Sequence, residues 1–90
     1  MANDVHVNPE KLEEFIRKLN QLNEEVSSSS AKLRHQIMKL SEFWQDAQYQ
    51  RFAEEFKQEE RKLQKFIQKS ESYIPELRRK ARLAREFQRR

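Results

Sequence analysis

The side chains in this sequence that could carry out acid–base chemistry are two histidines and four pairs of adjacent glutamates. The glutamate pairs are Glu13-Glu14, Glu24-Glu25, Glu54-Glu55 and Glu59-Glu60, and the histidines are His6 and His35. Neighbouring residues point about 100° apart on a helix, so the members of a pair would not converge on one substrate. Basic residues one turn away favour ordinary ion pairs instead, of which the clearest are Glu13 with Arg17 and Glu14 with Lys18. Because cysteine, a glycine-rich phosphate loop and metal-ligand spacing are all missing, the sequence predicts a protein that is not an enzyme and holds no metal or cofactor.

Basic residues are concentrated at the C-terminus. Seven of them occur between residues 77 and 90, against the single acidic Glu86, whereas the whole chain has a net charge of +4. This basic tail consists of Arg78, Arg79, Lys80, Arg82, Arg85, Arg89 and Arg90. Such a segment can be a solvated helix end, or it can bind an acidic protein, a membrane surface or nucleic acid. Nucleic acid is the least favoured partner, because Phe87 is the only aromatic residue in the segment and no nucleic-acid motif accompanies it.

Apolar residues recur at a spacing of three and four along two segments, which predicts two long amphipathic helices. The first helix is predicted at about 9–43, with Asn8 as its N-cap and Pro9 at its first position. The turn is expected at about 44–47, where Asp46 can cap the second helix and can adopt a positive φ in a chain that lacks glycine. The second helix is predicted at about 47–74, followed by a kink at Pro75 and a basic helical tail at about 76–88.

The two helices match each other when the chain is folded back near Gln45. Apolar residues then face apolar residues, and the serine run at 27–30 falls opposite Glu60 as a narrow polar layer within a continuous helix. The last pair in this alignment is Leu12 with Leu77, so the basic tail is expected to lie beyond the paired core. The predicted fold is therefore all-α: an antiparallel two-helix hairpin that forms a single domain.

The apolar stripe of this hairpin is wider than two helices can bury between them. We therefore expect two hairpins to associate into a four-helix bundle, as a homodimer or as a heterodimer with another helical protein. The residues assigned to this association face are Phe15, Ile16, Leu19, Leu22, Leu33, Ile37, Phe56, Leu63, Phe66, Ile67, Tyr73 and Ile74.

Neither a signal peptide nor a membrane anchor is predicted. The N-terminal residues lack the basic and then apolar run of a signal peptide, and no apolar segment approaches the roughly 20 residues that span a bilayer. The protein is expected to be made in the cytoplasm. Export by a route that does not cleave a signal peptide is left open.

The residues around the turn form a pattern of their own. Leu40 precedes Trp44 by four positions, Asp46 follows the tryptophan by two, and Phe52 and Phe56 follow it by eight and twelve. Together with the Pro-Glu-x-Leu start of the first helix, this pattern resembles the Trp-x-Gly (WXG) family of small bacterial early-secreted-antigen-like proteins of type VII secretion. Asp46 stands where that family has glycine.

The resemblance implies a helical hairpin with Trp44 in its central turn, and a turn motif made of Trp44, Asp46 and Phe52. It implies action through helix–helix association with itself or with a larger effector, as a secretion substrate or as a partner of the secretion machinery. Trp44 can close the end of the core, add its indole edge to a binding surface, or do both. The family's export motif, a tyrosine followed four positions later by an acidic residue, is not matched, since Leu77 stands four positions after Tyr73. The alternative function is a cytosolic coiled-coil adaptor whose Arg-rich C-terminal helix binds an acidic partner or nucleic acid.

Overall fold

The computed structural model describes residues 7–88, and these residues form two α-helices. Helix α1 is Pro9–Leu40, with 32 residues, and helix α2 is Ala47–Gln88, with 42 residues. No strand occurs in this part of the chain. The contacts between the helices are those of an antiparallel hairpin, so the predicted all-α two-helix hairpin is confirmed. Neither helix, within residues 7–88, is long and apolar enough to cross a membrane.

Helix α1 begins at the polar cap that the sequence predicts. The Asn8 Oδ1 atom accepts hydrogen bonds from the backbone N–H groups of Glu10 at 3.0 Å and Lys11 at 3.2 Å. It thereby satisfies two of the amides that the first turn of a helix leaves without a carbonyl partner. Pro9 follows the cap at the first helical position, where a missing N–H removes no helical hydrogen bond.

Helix α1 ends at Leu40, before the end at residue 43 that we predicted. Residues 41–43 form a turn, in which the N–H groups of Phe43 and Trp44 both donate to the Leu40 carbonyl oxygen, at 2.9 and 3.0 Å. Bonds of this kind close the final turn of a helix. The prediction extended the helix because Phe43 is apolar, but its side chain is 84% exposed and gains little packing by staying helical.

The chain reverses direction over residues 41–46 without any positive φ among the described residues. The positive φ that Asp46 could adopt in place of glycine is not used. Its capping role is confirmed, because the Asp46 Oδ1 atom accepts a hydrogen bond from the Tyr49 N–H at 3.0 Å. The reversal is spread over several residues, so ordinary backbone conformations are sufficient to turn the chain.

Replacing Asp46 with alanine is expected to lower the free energy of unfolding by about 1 kcal/mol, because the first turn of α2 loses its side-chain acceptor. Chemical denaturation measures this change. Asp46→Asn is the matched control, since the asparagine side chain accepts the same bond and ranks equally as an N-cap. Equal losses in the two variants would show that the negative charge at this position, rather than the cap, is what stabilises α2.

The chain divides into two compact units, each of which contains a segment of both helices. Of the described residues, 7–22 and 68–88 form unit 1, and 23–67 form unit 2. The buried apolar side chains are Ile16, Ile74, Ala81 and Ala84 in unit 1, and Ile37, Tyr49 and Ile67 in unit 2. In unit 2 the buried Tyr49 hydroxyl donates to the Ile37 carbonyl oxygen at 2.7 Å, which satisfies the one polar group of that side chain.

Helix α2 continues through Pro75. The predicted division into a helix that ends near residue 74 and a separate basic tail is therefore wrong, whereas a bend at Pro75 stays a prediction. A proline removes one backbone hydrogen bond from a helix interior and crowds the preceding turn. Packing within unit 1 opposes this loss, because Ile74 before the proline and Ala81 and Ala84 after it are all buried.

The basic end of α2 is part of the packed structure of unit 1. Ala81 retains 1% of its accessible surface, and the Arg85 guanidinium forms an ion pair with the Glu13 carboxylate of α1. The prediction that this segment lies beyond the paired core is therefore wrong. Alanine has a small apolar side chain, so it contributes little to the apolar period of a sequence. Ala81 is buried because the two helices approach closely there, and the period gives no information about the distance between helices.

Two ion pairs within α1 were predicted near its start. The pair of Glu14 and Lys18 is confirmed, with 3.6 Å between the carboxylate oxygen and the ammonium nitrogen. The pair of Glu13 with Arg17 is wrong, because Glu13 instead contacts Arg85 of α2. In the packed unit 1, Glu13 therefore pairs with Arg85 and not with Arg17, the partner that the sequence predicted.

Candidate association surface

Unit 2 carries half-exposed apolar side chains along one side of its two helices. Leu33 on α1 is 51% exposed, and Phe52 and Phe66 on α2 are 43% and 58% exposed. The two phenylalanines are two heptads apart and therefore lie on the same side of α2. In antiparallel packing, Leu33 occupies the flank of α1 that adjoins them, as judged from the buried positions Ile37 and Ile67. We call this the apolar side of unit 2.

Trp44 closes the end of unit 2 at which the chain reverses. Its ring lies edge-on to Tyr49, with centroids 5.4 Å apart at 67°, and stacks on Phe52 at 6.2 Å and 27°. Each such aromatic contact stabilises by about 0.5–1.5 kcal/mol beyond the burial of the rings. The contacts make Trp44 a cap on this end of the core. Because the indole stays partly exposed, a further binding role for its edge stays a prediction.

Unit 1 has an open apolar groove between its two helices. The groove has a volume of about 580 Å³ and is lined by Val7, Leu12, Tyr73, Glu76, Leu77, Arg79, Lys80 and Leu83. Tyr73 is 50% exposed. Phe15, which is 52% exposed, lies one turn along α1 from Leu12 and extends the same side of the helix. We call this the apolar side of unit 1.

The structure divides the predicted association face into buried and exposed residues. Ile16, Ile37, Ile67 and Ile74 are buried within their units, so they offer little surface to a second chain, and their place in the association face stays a prediction. The half-buried residues are Leu19, Phe56 and Leu63. The exposed residues are Phe15, Leu22, Leu33, Phe66 and Tyr73. The hairpin itself buries the isoleucine stripe, and the neighbouring stripe of each helix is left exposed.

Several exposed apolar residues were not assigned to this face. They are Met38, Leu40, Phe43, Phe52, Leu83 and Phe87. The sequence held a signal for Phe52, which occupies the same heptad position as Phe66 and Tyr73. Leu83 and Phe87 gave no comparable signal, because basic residues surround them and hide the apolar period.

A polar cluster lies within unit 2. The Glu60 side chain is only 9% exposed, and its carboxylate accepts hydrogen bonds from Ser30 Oγ at 2.7 Å and Arg34 Nη1 at 2.6 Å. The predicted facing of the serine run and Glu60 is confirmed at Ser30. Arg34 was missed, because the alignment of facing residues ignored the reach of long side chains. Residues 7–88 contain no group of three histidine or acidic side chains that could hold a metal ion.

Replacing Glu60 with alanine is expected to lower the free energy of unfolding by about 2 kcal/mol, because Ser30 loses its acceptor and the unit loses packed volume. Urea denaturation measures the change. The matched control is Glu59→Ala, one residue away, which removes only an exposed ion pair with Lys62 at 3.4 Å. This control should cost less than about 0.5 kcal/mol. If both variants lose the same stability, the polar cluster contributes nothing beyond helix propensity.

The basic residues of the C-terminal segment do not form one patch. Arg78, Arg82 and Arg85 follow one another at four and three positions and share one side of α2. Arg79 and Lys80 line the apolar groove instead, and Arg89 and Arg90 lie outside the described residues. Of the basic residues that the structure describes, three therefore share one side of α2 and two lie at the groove.

A family model matches most of the chain. Its description is "WXG100: Proteins of 100 residues with WXG", and the match covers residues 4–87. No curated protein and no solved structure matches the sequence. The matched range contains the only tryptophan of the chain, Trp44, with Asp46 in place of the glycine of the motif.

Proposed function

The chain belongs to the WXG100 family, and from this premise we propose that it is a non-enzymatic interaction protein of type VII secretion that acts as a dimer of helical hairpins. The family match supports the helical, secretion-related character. Self-association is the first part of the proposal. The second part is export without a cleaved signal peptide, either alone or as the partner of a larger effector.

The apolar sides of the two units carry the proposal. Phe15, Phe66 and Tyr73 each expose half or more of their surface. Covering the exposed half of a side chain of this size contributes about 1 kcal/mol, so a second chain that covered these residues would gain free energy at each of them. Single exposed apolar residues are common on monomers, but several large ones on one side of the same unit, as Phe15 and Tyr73 are in unit 1 and Phe52 and Phe66 are in unit 2, are typical of an interface.

A second copy of the same chain is the partner that this surface fits best. In a two-fold dimer each apolar residue contributes twice, because the same patch is used by both protomers. The three residues on each of two protomers would together favour association, against the entropic cost of docking. The result would be the four-helix bundle expected from the sequence.

Light scattering coupled to size-exclusion chromatography tests the association directly. We expect the mass of a dimer at concentrations of about 100 micromolar and a shift toward the monomer on dilution to about 1 micromolar. A well-folded monomer across this range would overturn the homodimer.

Export is tested in the producing bacterium. An epitope-tagged chain should be recovered from the culture medium, and it should disappear from the medium when the ATPase of the type VII system is inactivated. A cytosolic protein measured in the same samples controls for lysis. Retention inside the cells whether or not the ATPase is active would contradict export and would favour a cytosolic adaptor.

A further inference from the structure

Unit 1 has a second recess, on the side opposite its apolar groove. The recess has a volume of about 300 Å³ and is lined by Glu13, Ile16, Arg17, Asn20, Arg78 and Ala81. The buried Ile16 and Ala81 form its floor, since they retain 4% and 1% of their surface. Because the side chain of Ala81 is small, a depression remains above it, and the longer polar side chains surround this depression. One guanidinium comes from each helix, Arg17 from α1 and Arg78 from α2.

The two guanidiniums have no anionic partner within the described residues. The one carboxylate that lines the recess, that of Glu13, is held by Arg85 in an ion pair. Neither Arg17 nor Arg78 takes part in a hydrogen bond or ion pair with residues 7–88, and the same holds for the Asn20 amide. The recess therefore has an apolar floor and a set of donors that no group in residues 7–88 uses.

We propose that this recess binds a single carboxylate side chain, a glutamate or aspartate on the surface of an acidic partner protein. A guanidinium donates two parallel hydrogen bonds to a carboxylate, and a pair of guanidiniums on opposite walls can hold both carboxylate oxygens. The Asn20 amide supplies a further donor. The methylene groups of a glutamate fit the apolar floor formed by Ile16 and Ala81.

The surroundings favour a single side chain over an extended polyanion. Glu10 lies one heptad before Arg17 on α1, and Glu71 lies one heptad before Arg78 on α2, so the same side of each helix also carries an acidic residue, although Arg82 and Arg85 continue the basic side of α2 beyond the recess. A nucleic-acid backbone or an anionic membrane that covered this side would meet those carboxylates. An isolated carboxylate would not. Because the recess and the groove lie on opposite sides of unit 1, a chain associated through its apolar side keeps the recess open.

Nuclear magnetic resonance on the full-length protein tests the site through the side-chain Nε–Hε signals of arginine. The probe is a capped tripeptide with glutamate between two leucines, and its glutamine twin is the control peptide. We expect saturable shifts of the Arg17 and Arg78 signals with the glutamate peptide. The glutamine peptide should bind at least about tenfold more weakly, because the charge-assisted hydrogen bonds are lost.

A pair of double variants distinguishes the recess from general electrostatics. Arg17→Gln with Arg78→Gln should weaken binding of the glutamate peptide by about tenfold or more. Lys18→Gln with Arg82→Gln removes the same charge from residues that do not line the recess, and it should leave the affinity within about twofold of the parent. All four positions are exposed, so both variants should retain the parent's circular dichroism.

Three results would overturn the proposal. The first is an absence of shifts at both arginines at millimolar peptide. The second is an equal loss of affinity in the two double variants. The third is tighter binding, at the same two arginines, of inorganic phosphate, an oligothymidylate or phosphatidylserine vesicles, which would assign the recess to a phosphate group instead.

Discussion

A Phe66→Asp variant is expected to be monomeric at concentrations at which the parent protein is expected to form the proposed dimer. Phe66 is 58% exposed on the apolar side of unit 2, so the aspartate stays hydrated in the isolated chain and the hairpin should fold. In the dimer that we propose, the same position would be covered, so each protomer would bury an unpaired carboxylate and lose an aromatic contact. Because a two-fold interface contains the residue twice, we expect the dissociation constant to rise by about a hundredfold or more.

Met38→Asp is the matched control for this experiment. Met38 is as exposed as Phe66, at 64%, but it occupies the other flank of α1, away from Leu33. The control should therefore keep the parent's dissociation constant within about threefold. Analytical ultracentrifugation of the three proteins over the same concentration range measures the difference. If Phe66→Asp dimerises as well as the parent, or if Met38→Asp dissociates equally, the apolar side of unit 2 is not the interface.

Removing residues 78–90 is expected to destabilise the protein. The truncation takes away the buried Ala81 and Ala84 and the ion pair of Arg85 with Glu13, and it uncovers Ile16, which shares a recess with Ala81. We estimate a loss of about 2–3 kcal/mol from this packing, most of it apolar, because the ion pair is partly exposed. For a chain of this size that loss corresponds to a fall in Tm of about 10–20 °C.

A full-length variant that loses charge but keeps the packing is the control for the truncation. Arg79→Gln with Arg82→Gln removes two basic side chains and retains both buried alanines, so its Tm should stay within about 3 °C of the parent. The thermal melts must be compared at one protein concentration, because association contributes to the apparent stability. If the truncated protein has the same Tm as the parent, the end of α2 is a solvated extension, as the sequence alignment of the two helices predicted.

Features that depend on neighbouring residues were predictable. The cap at Asn8, the cap at Asp46 and the ion pair of Glu14 with Lys18 each join groups within four positions, where the geometry of a helix leaves one arrangement. The all-α hairpin follows from two apolar periods with an interruption between them. The contact of Ser30 with Glu60 was also predictable. Both residues lie near enough to the turn that counting residues outward from it on each helix identifies the facing pair.

The errors have a common cause in contacts between residues far apart in the sequence. Counting back from the turn assumes a constant register along the helices, and it left no partner for Arg85, which contacts Glu13 across 72 positions. A periodic pattern also cannot separate two adjacent apolar stripes. It therefore grouped the buried Ile67 with the exposed Phe66 on one face.

The sequence by itself determined two amphipathic helices, the capped ends and a reversal without glycine, because hydrophobic period and capping act over a few residues and need no knowledge of the partner helix. Only the tertiary structure decided which stripe each helix buries, how far along α2 the packing extends, and which carboxylate each arginine contacts. These choices depend on the rotation of each helix about its axis and on the distance at which the two helices pack. Small residues such as Ala81 set that distance, and it leaves Arg17 and Arg78 around a recess whose one lining carboxylate, that of Glu13, is paired with Arg85.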